Sequence, residues 1–303
     1  MKNDVHLTAE SCGDYELLDS GENMKLERFG AVTLARPETQ ALWKKQRPEL
    51  WETAHAEFAP PAGGPDKKGS WQIQKPVPDS WTVIRTGLPL IARLTGFKHT
   101  GIFPEQAPNW KWISAHVKDL VGPTSDVGPT RSYIPKVLNL FGYTGAATVT
   151  AALAGASVTH VDASRQSLDW AHENARLSSV GEDRIRWIPD DALSFVKREA
   201  RRGAQYDGII LDPPAFGRGA KGEVWKIEED LPKLLESLKE IFGDKSGSFF
   251  LINGYAAGYA PRSFTQAVES VFGDTNGECG ELHIKEAHSD RVIPAGIYVR
   301  FVR

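Results

Sequence analysis

The chain of 303 residues is long enough for one large domain or two smaller ones, and its 41% hydrophobic and 25% charged residues are ordinary for a globular protein. Its formal net charge of −3 gives no compositional support for a nucleic-acid partner, although a local basic surface would be enough to bind one. No apolar run is long enough to span a membrane and the first residues lack the apolar core of a signal peptide, so we expect a cytoplasmic protein with no membrane partner.

The first hundred residues have the pattern of a small β-rich unit. Short apolar segments separated by turn residues predict antiparallel strands over 15–36. Apolar and polar residues alternate again over 81–103, which predicts a second set of strands that turns at Gly87 and Gly96. We therefore assign residues 1–100 to a smaller N-terminal β-rich (α+β) region that recognises the substrate.

The stretch between these predicted strands has a different pattern. Apolar residues spaced among charges predict a helix over 37–59, and the proline- and glycine-rich run 60–70 predicts a loop or linker. Six of the nine tryptophans lie between Trp43 and Trp112. Such rings stack on single-stranded bases in some proteins and fill small cores in others, so both interpretations stay open.

From residue 101 onwards, apolar strands and helices alternate regularly. This alternation predicts a mostly parallel sheet covered on both faces, and two final strands without a helix between them predict an antiparallel hairpin. Residues 101–303 are therefore expected to form an α/β, Rossmann-like domain with a seven-stranded sheet, and the terminal hairpin is typical of methyltransferases rather than dehydrogenases. The predicted strands are 137–141, 157–161, 184–189, 206–211, 247–252, 279–288 and 296–303, and the predicted helices are 109–121, 145–154, 164–178, 192–202, 228–242 and 261–272.

A glycine turn follows the first of these parallel strands. Gly142 and Gly145 bracket it, the next helix begins with small residues, and Asp162 ends the following strand about 20 residues later, as in pockets where an acid accepts both ribose hydroxyls of an adenosine cofactor. The dinucleotide fingerprint G-x-G-x-x-G is absent, which favours S-adenosylmethionine over a nicotinamide, while a purely structural βαβ unit stays open. The predicted cofactor-binding residues here are Phe141, Gly142, Tyr143, Thr144, Gly145, Asp162, Ala163 and Ser164.

Two adjacent acids follow the third parallel strand. Asp190 and Asp191 precede the helix that begins near Ala192, so either carboxylate is placed to accept from the adenine amino group. Asp191 is the better candidate because it comes directly before the helix. The alternative is that it caps the helix, and both roles are compatible for neighbouring acids.

The fourth parallel strand ends in the most specific motif of the chain, LDPPAF, whose residues 212–216 we call the proline loop. Consecutive prolines remove two N–H donors, so the loop offers carbonyl oxygens and the Asp212 carboxylate as acceptors. An acceptor-only site beside the aromatic Phe216 suits a flat amine. We predict that Asp212, Pro213 and Phe216 are catalytic, that Asp212 also contacts the cofactor, and that Pro214 contacts the substrate; a strained loop without a ligand is the alternative.

Together, NLFGYTG, VDAS, DDA and LDPPAF resemble the class I S-adenosylmethionine-dependent methyltransferases. More narrowly, they are similar to the group that contains the bacterial large-subunit ribosomal RNA methyltransferases acting on cytosine C5 or guanine N7. TGIFPEQ at 100–106 resembles that group's segment ahead of the catalytic domain. The resemblance implies that Phe103 and Gln106 help to close the cofactor pocket. It is strong over 101–253 and weak in the first 95 residues, where that group's RNA-binding module is not recognisable.

One departure from that group bears on the chemistry. Cytosine-C5 enzymes attack the ring with a cysteine thiolate, which the group places after the fifth parallel strand, where this chain has Asn253 and Tyr255 as possible pocket walls. Cys279 lies on a later strand and is expected to be an inert buried thiol. Transfer to nitrogen is therefore favoured over transfer to carbon, and two distant cysteines, Cys12 and Cys279, do not indicate a metal site.

The segment after the proline loop is basic and rich in glycine. Over 217–226 we predict a mobile loop in which Arg218, Lys221 and Lys226 hold phosphates around an extruded base; an ordinary solvated loop is the alternative.

The sequence thus predicts an S-adenosylmethionine-dependent methyltransferase that acts on a base nitrogen in RNA, with ribosomal RNA as the expected partner and S-adenosylhomocysteine as the product. Two other hypotheses stay open. One is a methyltransferase for a small molecule or a protein side chain, which the near-neutral charge favours. The other is a cofactor-binding factor without catalysis.

Overall fold

The computed structural model describes residues 3–61, 68–122, 133–219, 222–255 and 258–303. The chain divides into two compact units. The large unit contains Met1–Leu7, Asn109–Glu281 and Gly296–Arg303, and the small unit contains Thr8–Pro108 and Leu282–Ala295. Within the described ranges, no helix is both long enough and apolar enough to cross a bilayer.

The secondary structure follows the chain in this order. The strands are β1 (Asn3–Asp4), β2 (Leu7–Ala9), β3 (Tyr15–Gly21), β4 (Met24–Phe29), β5 (Val32–Pro37), β6 (Ala56–Ala59), β7 (Ser70–Ile73), β8 (Trp81–Arg85), β9 (Leu88–Ala92), β10 (Lys136–Leu140), β11 (Ser157–Asp162), β12 (Ile185–Pro189), β13 (Gly208–Leu211), β14 (Phe216–Arg218), β15 (Val224–Lys226), β16 (Phe249–Gly254), β17 (Glu278–Lys285) and β18 (Val292–Val302). The helices are α1 (Pro48–Trp51), α2 (Ala107–Val121), α3 (Ala146–Leu153), α4 (Arg165–Leu177), α5 (Ala192–Arg201), α6 (Ile227–Ile241) and α7 (Pro261–Phe272).

A nine-stranded sheet organises the large unit. Its order is β1-β17-β18-β16-β13-β10-β11-β12, and β2 pairs with β17. The strands from β16 to β12 pair in parallel, whereas β18 pairs antiparallel with β16. The predicted fold class, a mostly parallel sheet with a terminal antiparallel hairpin, is therefore confirmed. The strands β1 and β2 are additions at one edge that the sequence pattern does not indicate.

The strand order changes direction at β10. From β10 the chain proceeds to β11 and β12 on one side, and then returns to β13 and β16 on the other. In open α/β sheets, the loops that follow the two strands at such a point diverge and leave a crevice at their carboxyl ends, where ligands bind. The glycine turn after β10 and the proline loop after β13 flank this crevice.

The main apolar core of the large unit lies between the sheet and α5, α6 and α7. Residues of β10, β13 and β16 that alternate along each strand enter this core, among them Leu140, Leu211 and Ile252. The predicted burial of Cys279 is confirmed, because the residue belongs to the same core and is 7% exposed.

The small unit is mainly β-structure. A five-stranded sheet has the order β3-β4-β5-β6-β7, and β8 and β9 form an antiparallel hairpin whose turn contains Thr86 and Gly87, both with positive φ. The predicted turn at Gly87 is confirmed, but none of the described residues directly after Gly96 forms a strand. Part of the predicted loop 60–70, residues 62–67, lies outside the described residues.

The prediction of a helix over 37–59 is wrong. Only the four residues of α1 are helical, and Ala56–Ala59 pairs with β5 and β7. The Asp19 carboxylate explains part of the difference, because it accepts hydrogen bonds from the backbone N–H groups of Gln46 and Arg47 and from Nε1 of Trp51. Amides held by a distant carboxylate are not available for the hydrogen bonds of a helix.

Candidate active site

The glycine turn after β10 has a strained backbone. Phe141, Tyr143 and Gly145 have φ of 56°, 48° and 82°, in the left-handed region that residues other than glycine rarely adopt. Each such non-glycine conformation costs about 1–3 kcal/mol and is found preferentially at functional sites. Asn174 of α4 supports the turn by donating from Nδ2 to the Thr144 carbonyl over 2.8 Å.

Gly142 fits the turn because its backbone lies against a buried imidazole. A Cβ atom at this position would lie 2.4 Å from Cε1 of His160, which is fully buried in β11. No real Cβ contact is that short, so any other residue would displace the turn or the ring. The glycine is thus required by packing as well as by the ligand-binding role that the sequence predicts.

Asp162 links the glycine turn to the end of β11. Its Oδ2 accepts from the Tyr143 backbone N–H over 2.8 Å, and its Oδ1 accepts from the Ser164 backbone N–H over 2.8 Å. Burial raises the pKa of Asp162, and these two hydrogen bonds partly oppose the shift. Each oxygen still has a lone pair for a further donor. Ala163 connects Asp162 to Ser164, whose side chain caps α4 by accepting from the Ser167 N–H.

The two acids after β12 have different partners. Asp191 caps α5 by accepting from the Ser194 N–H over 2.8 Å, so the predicted capping role is confirmed. Asp190 forms an ion pair with Arg198, which lies in the last turn of α5. Ala192 is buried as the first residue of α5. Asp162, Asp191 and Asp212 therefore follow β11, β12 and β13 at the same edge of the sheet.

The proline loop leaves the sheet directly beside the glycine turn. The Asp212 N–H lies 3.4 Å from the Leu140 carbonyl oxygen, at the end of the β10–β13 pairing. Pro213 is buried, Pro214 is exposed, and the Phe216 side chain is 49% exposed. The loop thus carries a partly exposed carboxylate and, four residues later, a half-exposed aromatic ring.

A residue that the sequence analysis missed supports the proline loop. Trp225, in β15, donates from Nε1 to the Pro214 carbonyl over 2.7 Å, and its ring lies 4.9 Å from that of Phe141. It thereby contacts both the proline loop and the glycine turn. A single tryptophan within a glycine-rich, otherwise polar segment is the signal that would have indicated a packed position there.

The segment after the proline loop begins and ends in two strands that pair as a hairpin. β14 and β15 pair antiparallel, with Gly217 opposite Trp225, so the prediction of a mobile loop is wrong for these paired residues. Arg218 is exposed, and its guanidinium lies 5.8 Å from the centre of the Phe216 ring. The predicted phosphate contact Lys221 lies outside the described residues.

The carboxyl end of β16 is adjacent to the proline loop. Asn253 is 4% exposed, and its Oδ1 accepts from Nδ2 of Asn109 over 3.0 Å. Tyr255 packs over Gly296, where a Cβ atom would lie 3.0 Å from the tyrosine ring. The contribution of Asn109 was missed, because nothing in the sequence relates an asparagine in α2 to a strand 144 residues later.

Phe103 and Gln106 belong to the small unit. Pro104–Gln106 forms one turn of 3-10 helix, Gln106 is 6% exposed, and the Phe103 ring lies 5.2 Å from that of His99. Four tryptophans of this unit donate from their indole nitrogens to acceptors of the same unit, which supports a packing role; they are Trp43, Trp51, Trp71 and Trp81.

The donor and acceptor set at this edge fits a particular kind of nucleoside. Asp162, Asp191 and Asp212 lie at the same edge of the sheet as the glycine turn, and carboxylates accept hydrogen bonds from hydroxyl and amino groups. They would repel a pyrophosphate, and the turn lacks the glycine spacing that brings N–H groups to one. The arrangement therefore suits S-adenosylmethionine, which has ribose hydroxyls, amino groups and no phosphate.

Comparison with protein families agrees with this chemistry. A family model described as S-adenosylmethionine-dependent methyltransferase matches residues 62–261. A crystal structure of the SAM-dependent methyltransferase from Agrobacterium tumefaciens is 37% identical, covers 98% of this chain and 93% of that chain, and superposes with a TM-score of 0.88.

Curated relatives match more locally. The ribosomal RNA large subunit methyltransferase K/L of a Shewanella species is 33% identical over 192 residues, which is 62% of this chain and 25% of the relative. The ribosomal RNA large subunit methyltransferase K of Neisseria meningitidis is 26% identical over 241 residues, which is 77% of this chain and 64% of the relative. The chain thus spans about a quarter of the length of the Shewanella protein that it matches.

Proposed function

The chain belongs to the S-adenosylmethionine-dependent methyltransferase family, and from this premise we propose that it methylates a nitrogen of a base in ribosomal RNA. The observation that carries the proposal is the proline loop, whose Asp212 N–H lies 3.4 Å from the Leu140 carbonyl oxygen beside the glycine turn and whose Phe216 ring is half-exposed. An acceptor beside an aromatic surface suits a planar amine better than it suits a carbon nucleophile.

We assign the cofactor pocket to the residues around the glycine turn. Asp162 would accept from the ribose hydroxyls, and Asp191 or Asp190 would accept from the adenine amino group, beside the Ala192 backbone. The turn residues would enclose the amino-acid tail.

The proposed reaction depends mainly on alignment. The base stacks on Phe216, and its N–H groups donate to the Asp212 carboxylate and to the Pro213 carbonyl, which leaves the nitrogen lone pair free. When bound, S-adenosylmethionine would supply a methyl group activated by its positive sulfur, and cleavage of the S–CH₃ bond would leave S-adenosylhomocysteine. Asp212 holds the proton that the nitrogen loses when the new N–C bond forms. Positioning of this kind contributes up to about 7–11 kcal/mol to the lowering of a barrier.

Two observations support RNA as the acceptor. The curated relatives from Shewanella and Neisseria meningitidis are named as ribosomal RNA methyltransferases. The exposed ring of Phe216 with the Arg218 guanidinium above it is suited to a base and its phosphate. We propose that Pro214 and Tyr255 complete the substrate pocket, and that residues 1–100 recognise the RNA while residues 101–303 catalyse the transfer.

The proposed role of Asp212 is tested by Asp212→Asn, which keeps the shape of the side chain and replaces an acceptor oxygen by a donor. We expect kcat for methyl transfer to fall about 10²–10⁴-fold, the range for a group that holds a transferring proton. The rise in Tm caused by S-adenosylhomocysteine should persist, and NAD should cause none. Asp244→Asn, on an exposed residue, is the matched control.

The acceptor itself is identified by mass spectrometry of nucleosides from the RNA of deletion and wild-type cells. The proposal requires one methylated nucleoside to be absent from the RNA of the deletion cells. The nucleoside should return when these cells are complemented with the native gene, but not when they are complemented with the gene for Asp212→Asn. An unchanged profile would favour a small-molecule or protein acceptor. Cofactor binding without transfer to any of these acceptors would indicate a non-catalytic factor.

A further inference from the structure

Asn253 lies at the level of Asp212 on the neighbouring strand. The parallel register pairs Leu211 with Ile252, so Asp212 and Asn253 are the next positions along β13 and β16. Adjacent strands are about 4.8 Å apart, and paired residues of a parallel ladder point to the same face of the sheet. Extending this register by one residue brings the backbones of Asp212 and Asn253 side by side at the edge of the crevice.

The orientation of the Asn253 amide follows from its hydrogen-bond partners. Arg300 donates from a terminal guanidinium nitrogen to Oδ1 of Asn109 over 3.2 Å, and an arginine has no acceptor atom. Asn109 must then present its NH₂ group to Asn253, and Nδ2 donates to Oδ1 of Asn253 over 3.0 Å. We call this series of hydrogen bonds from Arg300 through Asn109 to Asn253 the relay. Because only this orientation matches each donor with an acceptor, the NH₂ group of Asn253 is directed away from Asn109.

The origin of the relay is rigid. Arg300 is 7% exposed, and Oε2 of Glu278 accepts from two of its nitrogens over 2.9 and 2.7 Å. The guanidinium also lies 5.1 Å from the ring centres of Trp112 and Tyr298. The ion pair with the partly exposed Glu278 and the two aromatic rings beside the guanidinium hold Arg300 in place, and so fix which atoms of Asn109 and Asn253 face each other.

The NH₂ group of Asn253 is the end of this relay. Among the described residues, this NH₂ group has no acceptor. Its nitrogen is also not one of the unpartnered polar atoms that are fully buried, so it keeps some contact with solvent. A donor that is oriented by three other side chains and remains available is suited to recognise a ligand.

We propose that Asn253 is the residue that determines base specificity, by donating to a carbonyl oxygen or an unprotonated ring nitrogen next to the reacting nitrogen. This inference rests on the proposed function and deepens it. Asp212 accepts from the reacting N–H group while Asn253 donates to the adjacent acceptor, so the site reads a donor–acceptor pair on one edge of the base. Asn109 and Arg300 act as positioning residues.

The test uses the full chain, tritiated S-adenosylmethionine and deproteinised ribosomal RNA from cells that lack the gene. Asn253→Asp replaces the donor by a second carboxylate oxygen. Asn109→Asp keeps the acceptor for Arg300 but removes the donor to Asn253, so the Asn253 amide should rotate and present its oxygen to the base. Asn276→Asp makes the same change of charge on an exposed loop and is the control.

We expect both Asn253→Asp and Asn109→Asp to lower kcat/KM for the RNA about 10- to 100-fold, the effect of leaving one polar group unpaired. The KM for S-adenosylmethionine and the Tm shift with S-adenosylhomocysteine should stay within twofold of native, as should every parameter of Asn276→Asp. A native kcat/KM for RNA in Asn109→Asp would overturn the proposal. If Asn253→Asp does not fold, Asn253→Ser replaces it in the test, and a native kcat/KM in that variant would also overturn the proposal. If the native protein transfers no methyl group to RNA, the proposed function fails instead.

Discussion

At the scale of single residues, the contact between Gly142 and His160 gives the sharpest prediction. The variant Gly142→Ala places a methyl group 2.4 Å from the His160 ring, so we expect a loss of about 1–3 kcal/mol in the free energy of unfolding. The turn must also shift, which should weaken S-adenosylhomocysteine binding. Urea denaturation and calorimetric titration measure the two effects.

The control for this prediction is a double-mutant cycle. His160→Ala removes the ring that the new methyl group would strike, so Gly142→Ala/His160→Ala should be more stable than the sum of the two single changes predicts. Additive effects would show that the imidazole does not restrict this position, and the packing explanation for Gly142 would be wrong.

The residues around the turn also show what a sequence can reveal. Gly142, Asp162 and Asp212 each follow a buried strand, and parallel strands bring their carboxyl ends to one edge, so their proximity could be predicted. Asn109 and Arg300 could not, because they are 191 residues apart and their contact depends on how α2 packs on the sheet.

At the scale of elements, the β14–β15 hairpin supports the proline loop through one indole. Trp225→Phe keeps a ring beside Phe141 but removes the donor to the Pro214 carbonyl. We expect a loss of about 0.5–1.5 kcal/mol in unfolding free energy, the value of a typical hydrogen bond. The loss in kcat should be larger than stability alone explains, because the loop would be less well positioned.

Steady-state kinetics with RNA, alongside urea denaturation, separate these two effects of Trp225→Phe. Trp71→Phe is the matched control, since its indole donates to the Thr95 carbonyl within the small unit. A proportional fall of kcat in both variants would assign Trp225 to general stability and not to positioning of the loop.

Elements differ in how far local pattern determines them. The α5 helix was predictable because Asp191 caps it locally. The segment 37–59 was not, because the carboxylate of Asp19 in β3 binds the amides of Gln46 and Arg47, and no spacing rule anticipates that contact. Helical periodicity fails where a distant side chain supplies the hydrogen bonds.

At the scale of the whole molecule, each unit contains a histidine that its surroundings keep neutral, and of the two His160 is buried and His99 is partly buried. Burial lowers the pKa of His160 in the large unit to about 3, and burial with the nearby Arg36 and Lys98 lowers that of His99 in the small unit to about 3. Thr148 Oγ1 accepts from Nδ2 of Asn139 over 2.8 Å and lies 2.8 Å from Nδ1 of His160, so this ring nitrogen has a hydrogen-bond partner while the imidazole is neutral.

The sign of the pH effect follows from these shifts. An unfolded histidine has a pKa of about 6.5, so between pH 6.5 and 3 the unfolded chain binds protons that the folded chain does not. The free energy of unfolding therefore decreases as the pH is lowered through this range. Each histidine should remove about 2 kcal/mol of unfolding free energy between pH 7 and 5. Glu105, whose pKa is raised by burial, opposes this loss in part, whereas Glu27, with a lowered pKa, adds to it only at lower pH.

The variant His160→Gln isolates one of these contributions. Its side-chain amide can still hydrogen-bond to the Thr148 hydroxyl, but the side chain does not titrate, so the loss of stability between pH 7 and 5 should shrink by about 2 kcal/mol relative to native. Urea denaturation at both pH values, followed by tryptophan fluorescence, measures the difference. Burial lowers the pKa of His160 more than the neighbouring His172 does, so His172→Gln should leave most of the native pH dependence in place. If His160→Gln lost as much stability on acidification as the native protein, the buried imidazole would not be the group responsible.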